Sequence, residues 1–367
     1  MKMINRIVFA AGGTGGHIYP AIAVADELVR VNENVKIKFI GAKGKIEEKI
    51  IPQRGYELST IDIRGFKRSL SFKNIGAAIK LFKALGESKK ILKRFKPDIV
   101  FGTGGYVSGP VLKSAAKLKI KTVVQEGNYY PGVTVKLLSG SADKVILNFE
   151  GTKKFLKRQD NIEVLHYPVR QNLKRIPKNE ALEIYGLDAN KRTLFVFGGS
   201  QGASSINKAL LKCIKNLLTG ELQIIWQTGE KDFESISKLI DDHSSVKLFK
   251  YIDNIDSAYS VADLILCRSG ISTIMELAAF GLASVLVPYP AAAENHQEKN
   301  AQALVDKNAS EMIIDSELNE KLESAVSRLI YDEKSLELMR KNIKQFEDKN
   351  AASKIVQLLL NVARKAG

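Results

Sequence analysis

Four glycine-rich segments carry the residues whose types and spacing can do chemistry in this chain. The first is Gly12-Gly13-Thr14-Gly15-Gly16-His17 and the second runs from Gly102 to Pro110. The third runs from Gly198 to Asn207 and the fourth from Cys267 to Gly281. Each follows an apolar run and precedes a helical pattern. Glycine lets backbone approach a ligand closely, and a helix start offers free N–H groups with a partial positive charge. That combination suits anions. The first loop is not a dinucleotide fingerprint, because the third glycine counted from Gly13 falls on Ile18. No Walker A pattern occurs. In the third loop, Ser200 and Gln201 can donate to phosphate or sugar oxygens. In the fourth, Ser269 and Gly270 form a turn, Ser272 and Thr273 open a helix, and Glu276 lies one turn in. A carboxylate there can accept two ribose hydroxyls while the helix N–H groups hold a diphosphate. Two blander readings stay open: tight strand-to-helix turns without a ligand, and a first-turn Glu276 that complements the helix dipole.

Alternating strands and helices must position these loops. The pattern predicts strands over Ile4–Ala11, Lys36–Ile40, Asp98–Phe101, Thr122–Val124 and Lys144–Leu147, with a helix over Pro20–Val31. It restarts after Arg170, with strands over Thr193–Phe197, Leu222–Trp226, Val246–Phe249, Leu264–Cys267 and Ser284–Val287. Such alternation implies parallel sheets covered on both faces. Ligands in such sheets bind beyond the carboxyl ends of the strands, where all four loops are expected. VFAAGGTGG from Val8 is echoed by VFGGSQGA from Val196, about half the chain later. The reading is two doubly wound domains, 1–168 with a C-terminal helix at about 349–367, and 169–348. Pro168 stiffens the linker.

Composition narrows the class. The chain has 367 residues, 45% hydrophobic and 26% charged, ordinary for a globular protein. Two cysteines, Cys213 and Cys267, exclude a disulfide framework and a Cys-only zinc site. No signal-peptide core is evident, and the uncharged run Leu277–Ala293 holds Pro288 and Pro290, which suit no membrane span. A cytoplasmic protein without an anchor is expected. The net charge is +16, and eleven basic residues against one acid lie between Arg64 and Lys96. There Ile75, Ile79 and Phe82 recur at helical spacing with Lys80 and Lys83 alongside. A basic amphipathic helix reads as membrane-surface binding, with a plainly solvated basic face as the alternative. Aromatics are too few for a nucleic-acid stacking platform, so no nucleic-acid partner is expected.

GGTGGHIYPAIAVADEL, GTGGYVSGP, QEGNYYPG, GGSQGASSIN and CRSGISTIMELAAFG, then ASVLVPYP and NHQ, occur in that order. Over almost its full length the chain resembles the MurG family, the N-acetylglucosaminyltransferases of peptidoglycan synthesis. The resemblance implies an α/β fold of GT-B architecture, with two Rossmann-like doubly wound parallel-sheet domains facing a cleft. It implies inverting transfer of N-acetylglucosamine from UDP-N-acetylglucosamine to the C4 hydroxyl of the muramyl sugar of undecaprenyl-linked lipid I, forming lipid II. The first domain would take acceptor and membrane, the second the UDP-sugar. It places the protein peripherally on the cytoplasmic face of the cell membrane, against an anionic surface, in cell wall biogenesis, cell shape and division. No cofactor and no metal are implied. Carried over by motif, the backbone of Ile252 reads uracil with Tyr251 beside it, and Glu276 holds the ribose. Ile271, Ser272, Thr273 and Ser200 meet the diphosphate, Gln297 and His296 the sugar, and Arg170 the nucleotide region. Thr14, Gly15, Gly16 and Asn128 match donor-sugar and diphosphate contacts. His166-Tyr167 stands where the family often has Gly-Asn, and the position of His296 varies between Gln and His.

Glycosyl transfer needs the leaving group's charge stabilised, the acceptor hydroxyl deprotonated, and water excluded. Helix N-termini with Ser200 and Thr273 answer the first need without metal, and no Asp-x-Asp motif is present. His17 and Glu126 are the candidates for the second, with Asn128 counted beside them. His17 can instead hydrogen-bond to shape its loop, and Glu126 can instead brace or position. Tyr106 either orients the acceptor or simply packs. His166 and His243 receive no role, and Cys213 and Met275 read as core. Two other functions remain: a UDP-N-acetylglucosamine 2-epimerase, and a non-catalytic binder with a relic cleft.

Overall fold

The computed structural model describes residues 3–65, 73–170, 173–199, 202–240 and 244–364, and of 73–78 the backbone alone. The chain divides into two units, 1–171 with 348–367, and 172–347. The first unit holds seven strands: Arg6–Ala10 (β1), Lys36–Ala42 (β2), Glu57–Ile61 (β3), Ile99–Gly102 (β4), Lys121–Glu126 (β5), Lys144–Leu147 (β6) and Ile162–Val164 (β7). Its helices are Gly15–Val31 (α1), Glu47–Gln53 (α2), Lys73–Phe95 (α3), Gly105–Lys117 (α4) and Val133–Ser139 (α5). The second unit holds Arg192–Phe197 (β8), Leu222–Gln227 (β9), Val246–Phe249 (β10), Leu264–Cys267 (β11), Ser284–Leu286 (β12) and Glu311–Met312 (β13). Among its helices are Lys178–Tyr185 (α6), Ser204–Leu217 (α7), Glu230–Ser237 (α8), Ile255–Val261 (α9), Ile271–Phe280 (α10) and His296–Val305 (α11).

Both sheets are parallel, and they repeat one strand order. The first runs β3-β2-β1-β4-β5-β6-β7 and the second β10-β9-β8-β11-β12-β13. The order reverses between β1 and β4 and between β8 and β11. Each reversal is a topological switch point, where the crevice of an open sheet lies. The four glycine loops follow these four strands.

Alternation along each strand feeds two cores. Ile7 and Phe9 of β1 join Phe101, Val123, Ile146, α1 and the C-terminal helix Ala351–Arg364 on one face. Val8 and Ala10 join Val100, Val124, Val145, α3 and α4 on the other. The C-terminal helix thus completes the first unit through Ile355, Val356 and Leu359. In the second unit Leu194 and Val196 pack on α7. Phe195 and Phe197 turn the other way and meet Tyr259, which meets Phe280.

The structure corrects several sequence expectations. β1 is trimmed to Arg6–Ala10, and α1 begins at Gly15, so Pro20 lies in its second turn rather than near its start. Strands β3, β7 and β13 were not predicted. They are short edge or near-edge strands; β3 and β7 are only partly buried, so neither forms an apolar run.

Candidate functional site

The first loop is clamped from two sides. A Cβ on Gly12 would fall 2.2 Å from Glu47 Oε1, and one on Gly13, which has φ +90°, would fall 2.8 Å from the Tyr106 ring. Glu47 is fully buried in α2. Its Oε1 accepts the N–H of Ala42 at 2.8 Å and of Gly13 at 3.1 Å. The carboxylate therefore ties the end of β2 to the loop after β1. Burial, and then the Glu47 charge, hold the half-buried Tyr106 phenol above its ordinary range. Thr14 precedes α1 with extended backbone, and its side chain does not cap the helix.

His17, in the first turn of α1, joins the two loops at this switch point. Its Nδ1 lies 2.7 Å from the Thr103 carbonyl, and Thr103 Oγ1 donates to the His17 carbonyl at 2.6 Å. A carbonyl only accepts, so Nδ1 carries a proton, and in the neutral form of the ring the lone pair lies on Nε2. Gly104 and Gly105 adopt φ of +87° and +70°, and a Cβ on Gly105 would press within 3.1 Å of Nε2. The second loop needs its glycines so that the imidazole can lie against it.

Glu126 ends β5 with 4% of its surface exposed. Its Oε1 accepts Asn128 N at 2.9 Å and Asn128 Nδ2 at 3.0 Å, and its Oε2 accepts Gly132 N at 2.8 Å. Burial raises its carboxyl above the ordinary range, and these bonds pull the other way. This geometry shows the bracing alternative directly: Glu126 braces the 127–132 turn. Asn128 is its partner in that brace. The Arg170 guanidinium lies 5.4 Å over the Tyr19 ring of α1.

In the second unit the third loop is equally tight. A Cβ on Gly198 would sit 2.3 Å from Ala203 N, and one on Gly202 would sit 2.2 Å from the Thr228 carbonyl. Gln227, at the end of β9, donates from Nε2 to Gly199 O at 3.2 Å and accepts Ile252 N–H at 2.8 Å. One amide thus ties the third glycine loop to Ile252, the residue expected at the base site. Ser200 and Gln201 lie outside the described residues, as does His243.

Gly270 precedes α10, whose first residues are Ile271, Ser272 and Thr273. Glu276 sits in the second turn, beyond the N-terminal N–H groups, so dipole complementation does not explain it. It is 9% exposed, and the buried Tyr259 donates to its Oε2 at 3.1 Å. Gln297 Oε1 accepts Tyr289 N at 3.0 Å, and its carbonyl accepts Ser269 Oγ at 2.9 Å. His296 Nδ1 lies 2.6 Å from Ala293 O. Burial pushes the Cys267 thiol far up, and Cys213 up to about 11, so neither is a ready nucleophile.

Sequence reasoning missed Glu47, Gln227, Tyr259 and Arg268. Arg268 donates to Pro288 O at 3.0 Å and to Ser205 Oγ at 2.7 Å, and pairs with Asp315. It binds the loops after β11 and β12 to the start of α7. A strand-end Arg before Ser-Gly was a usable signal; Glu47, inside a charge run, carried none.

On α3 the buried stripe is Ala84, Ser88 and Leu92, while Ile79 and Phe82 stand 65% and 75% exposed. The Ile75 side chain lies outside the described residues. Lys80 is paired with Asp62 at 2.6 Å, which holds that acid below its ordinary range. Lys83 likewise lies 3.9 Å from Glu87. Lys83, Lys89 and Lys90 are exposed. Among the described residues no helix is long and apolar enough to cross a membrane, and no three His, Cys, Asp or Glu gather as a metal-holding group.

Two parallel sheets of one order, each with tight loops and helix N-termini at its switch point, define the GT-B architecture. The glycosyltransferase family 28 N-terminal domain matches residues 7–147 and its C-terminal domain residues 193–355. The UDP-N-acetylglucosamine–N-acetylmuramyl-(pentapeptide) pyrophosphoryl-undecaprenol N-acetylglucosamine transferase of Flavobacterium psychrophilum is 41% identical over 359 residues, covering 97% of each chain. Acinetobacter baumannii MurG superposes with a TM-score of 0.80 at 28% identity, covering 97% of this chain and 99% of that one. The Neisseria meningitidis UDP-GlcNAc 2-epimerase, bound to UDP-GlcNAc, shares the fold at a TM-score of 0.67 but only 15% identity. The chain belongs to glycosyltransferase family 28, among its MurG N-acetylglucosamine transferases.

Proposed function

We propose that the enzyme moves N-acetylglucosamine from UDP-N-acetylglucosamine to the C4 hydroxyl of the muramyl sugar of lipid I, forming lipid II with inversion. The observation that carries the mechanism is the His17 imidazole, whose Nδ1 proton is committed to Thr103 O. Its Nε2 takes the C4 hydroxyl proton. The C4 oxygen then bonds to the anomeric carbon, the bond from that carbon to the diphosphate oxygen breaks, and UDP leaves with the electron pair. Proton abstraction of this kind supplies ~10²–10⁴-fold. Tyr106 orients the acceptor. In the second unit Glu276, held by Tyr259, takes the ribose, the Ile252 carbonyl and Tyr251 take uracil, and Gln297 and His296 take the sugar. The α10 start, with Ser200, stabilises the leaving diphosphate, and no metal is required. Thr14, Gly15, Gly16, Asn128 and Arg170 contribute donor contacts.

The protein works at the cytoplasmic face of the membrane. Ile75, Ile79 and Phe82 insert into the anionic surface, while Lys89 and Lys90 add roughly 1 kcal/mol each and Lys83, beside Glu87, adds less. The exposure of Ile79 and Phe82 supports this reading. The deciding experiment incubates the enzyme with labelled UDP-N-acetylglucosamine and a lipid I analogue in EDTA. Label in a lipid product is expected; label only in epimerised free sugar would overturn the reading. Replacing Ile79 and Phe82 by Ser is expected to weaken anionic-vesicle binding while sparing turnover on a short-chain acceptor. Wild-type vesicle binding would remove those two side chains from the membrane role.

A further inference from the structure

Pro20 leaves a gap in the α1 hydrogen-bond ladder. An α-helix satisfies each carbonyl with the N–H four residues on, and proline has none. The carbonyl so deprived is Gly16 O, in the peptide group that carries His17. The Tyr167 hydroxyl donates to that carbonyl. Tyr167 is itself buried, and its backbone N–H donates to the Asn148 side chain at 2.7 Å, just past the end of β6. It belongs to the segment that leads out of the first unit and continues to Arg170, which lies over the Tyr19 ring.

We infer that Tyr167 is a positioning residue for His17: its hydroxyl replaces the missing Pro20 N–H and holds the Gly16–His17 peptide plane. The plane's own N–H, on His17, donates to Thr14 O at 3.1 Å, so the Tyr167 hydroxyl holds its other end, where Gly15 and Gly16 add no Cβ to limit it. The Nδ1 contact to Thr103 O fixes the ring about its own bonds, whereas the Tyr167 contact fixes the backbone from which the ring departs. A loosened plane would move Nε2 away from the acceptor proton without removing a donor contact. The cost should appear in kcat rather than in KM.

The inference rests on His17 acting in the reaction, and the two are separable. If His17→Ala spares turnover, the mechanism itself fails. If His17→Ala abolishes turnover and Tyr167→Phe does not lower it, only this inference fails. The decisive comparison uses Tyr167→Phe, Pro20→Ala and the double variant. Tyr167→Phe keeps the ring and loses one hydrogen bond, so kcat is expected to fall about three- to tenfold with both KM values within about twofold. Pro20→Ala restores a backbone N–H for Gly16 O and should be close to wild type. The double variant should return to within about twofold of Pro20→Ala, since the alanine N–H takes over the bond. A double variant as slow as Tyr167→Phe would overturn the inference. If Tyr167→Phe melts below the assay temperature, Pro20→Ala must restore its Tm, and the kinetic comparison is made between the double variant and Pro20→Ala. A Tm that Pro20→Ala fails to restore counts equally against it.

Discussion

The loops of the two units are braced by different chemistry. Under the first unit's loops lie buried carboxylates, Glu47 beneath Gly13 and Glu126 beneath Asn128 and Gly132. The second unit uses neutral groups, Gln227 beneath Gly199 and Ile252, and Ser269 and Asn300 beneath the loop after β11. Its partly buried Arg268 is balanced by Asp315. Charge in a low-dielectric interior acts strongly over several ångströms. A charge such as that of Glu47 beneath a loop favours a nearby group that takes up a proton, whereas neutral braces leave the helix N-terminal potential undiminished for a diphosphate. The contrast fits a first unit built around His17 and a second built around Glu276 and the α10 start.

The sharpest way to break the comparison is His17→Ala. With the base gone, kcat should fall ~10²–10⁴-fold while donor affinity is kept. Steady-state kinetics with UDP-N-acetylglucosamine and a lipid I analogue measure this, and an unchanged kcat would remove proton chemistry from the first unit. Next in size is Glu276→Ala, where loss of charge-assisted hydrogen bonds of about 1.5–3 kcal/mol should raise the donor KM roughly 10- to 150-fold. Calorimetric titration with UDP tests the same residue without turnover, and unaltered affinity in a folded variant would end the ribose assignment.

Glu47→Gln is expected to weaken the first unit by about 1–2 kcal/mol, because backbone N–H groups lose an ionised acceptor. Denaturant unfolding followed by hydrogen exchange at Ala42 and Gly13 should localise the loss to the first unit. The smallest effect concerns pH. Burial raises the Glu126 pKa in the folded state. Its contribution to stability is therefore fully present below the ordinary carboxyl pKa and is lost as pH rises through the raised value. The Tm of wild type relative to Glu126→Gln should thus fall as pH rises above the ordinary carboxyl range of about 4. A gap that widens toward neutrality would give Glu126 the opposite, ion-stabilised character.

Much of the fold and of the candidate site is legible in the sequence. The apolar runs that precede Gly12, Gly102, Gly198 and Cys267 place the loops, because buried parallel strands must be continuously apolar. The edge strands β3 and β7 are not legible, since a half-exposed strand of a few residues has no apolar run to read. Glu126 is ambiguous in sequence: an acid after a buried strand suits base or brace equally, and only the fold shows the three donors that make it a brace.

The sequence by itself determined two doubly wound units, the loops at their switch points and the family, and it named His17 and Glu276 as candidates for the chemistry. These are local signals of glycine, hydrophobic run and helix start. Tertiary structure alone decided what holds those residues still: Glu47 under Gly13, Tyr259 on Glu276, Gln227 between Gly199 and Ile252, and Tyr167 on Gly16. The physical reason is that every buried polar group must find a partner, yet nothing local says which distant side chain supplies it. Tyr167 and Gly16 are 151 residues apart, and their meeting is settled only when β6 and α1 have packed on the same sheet.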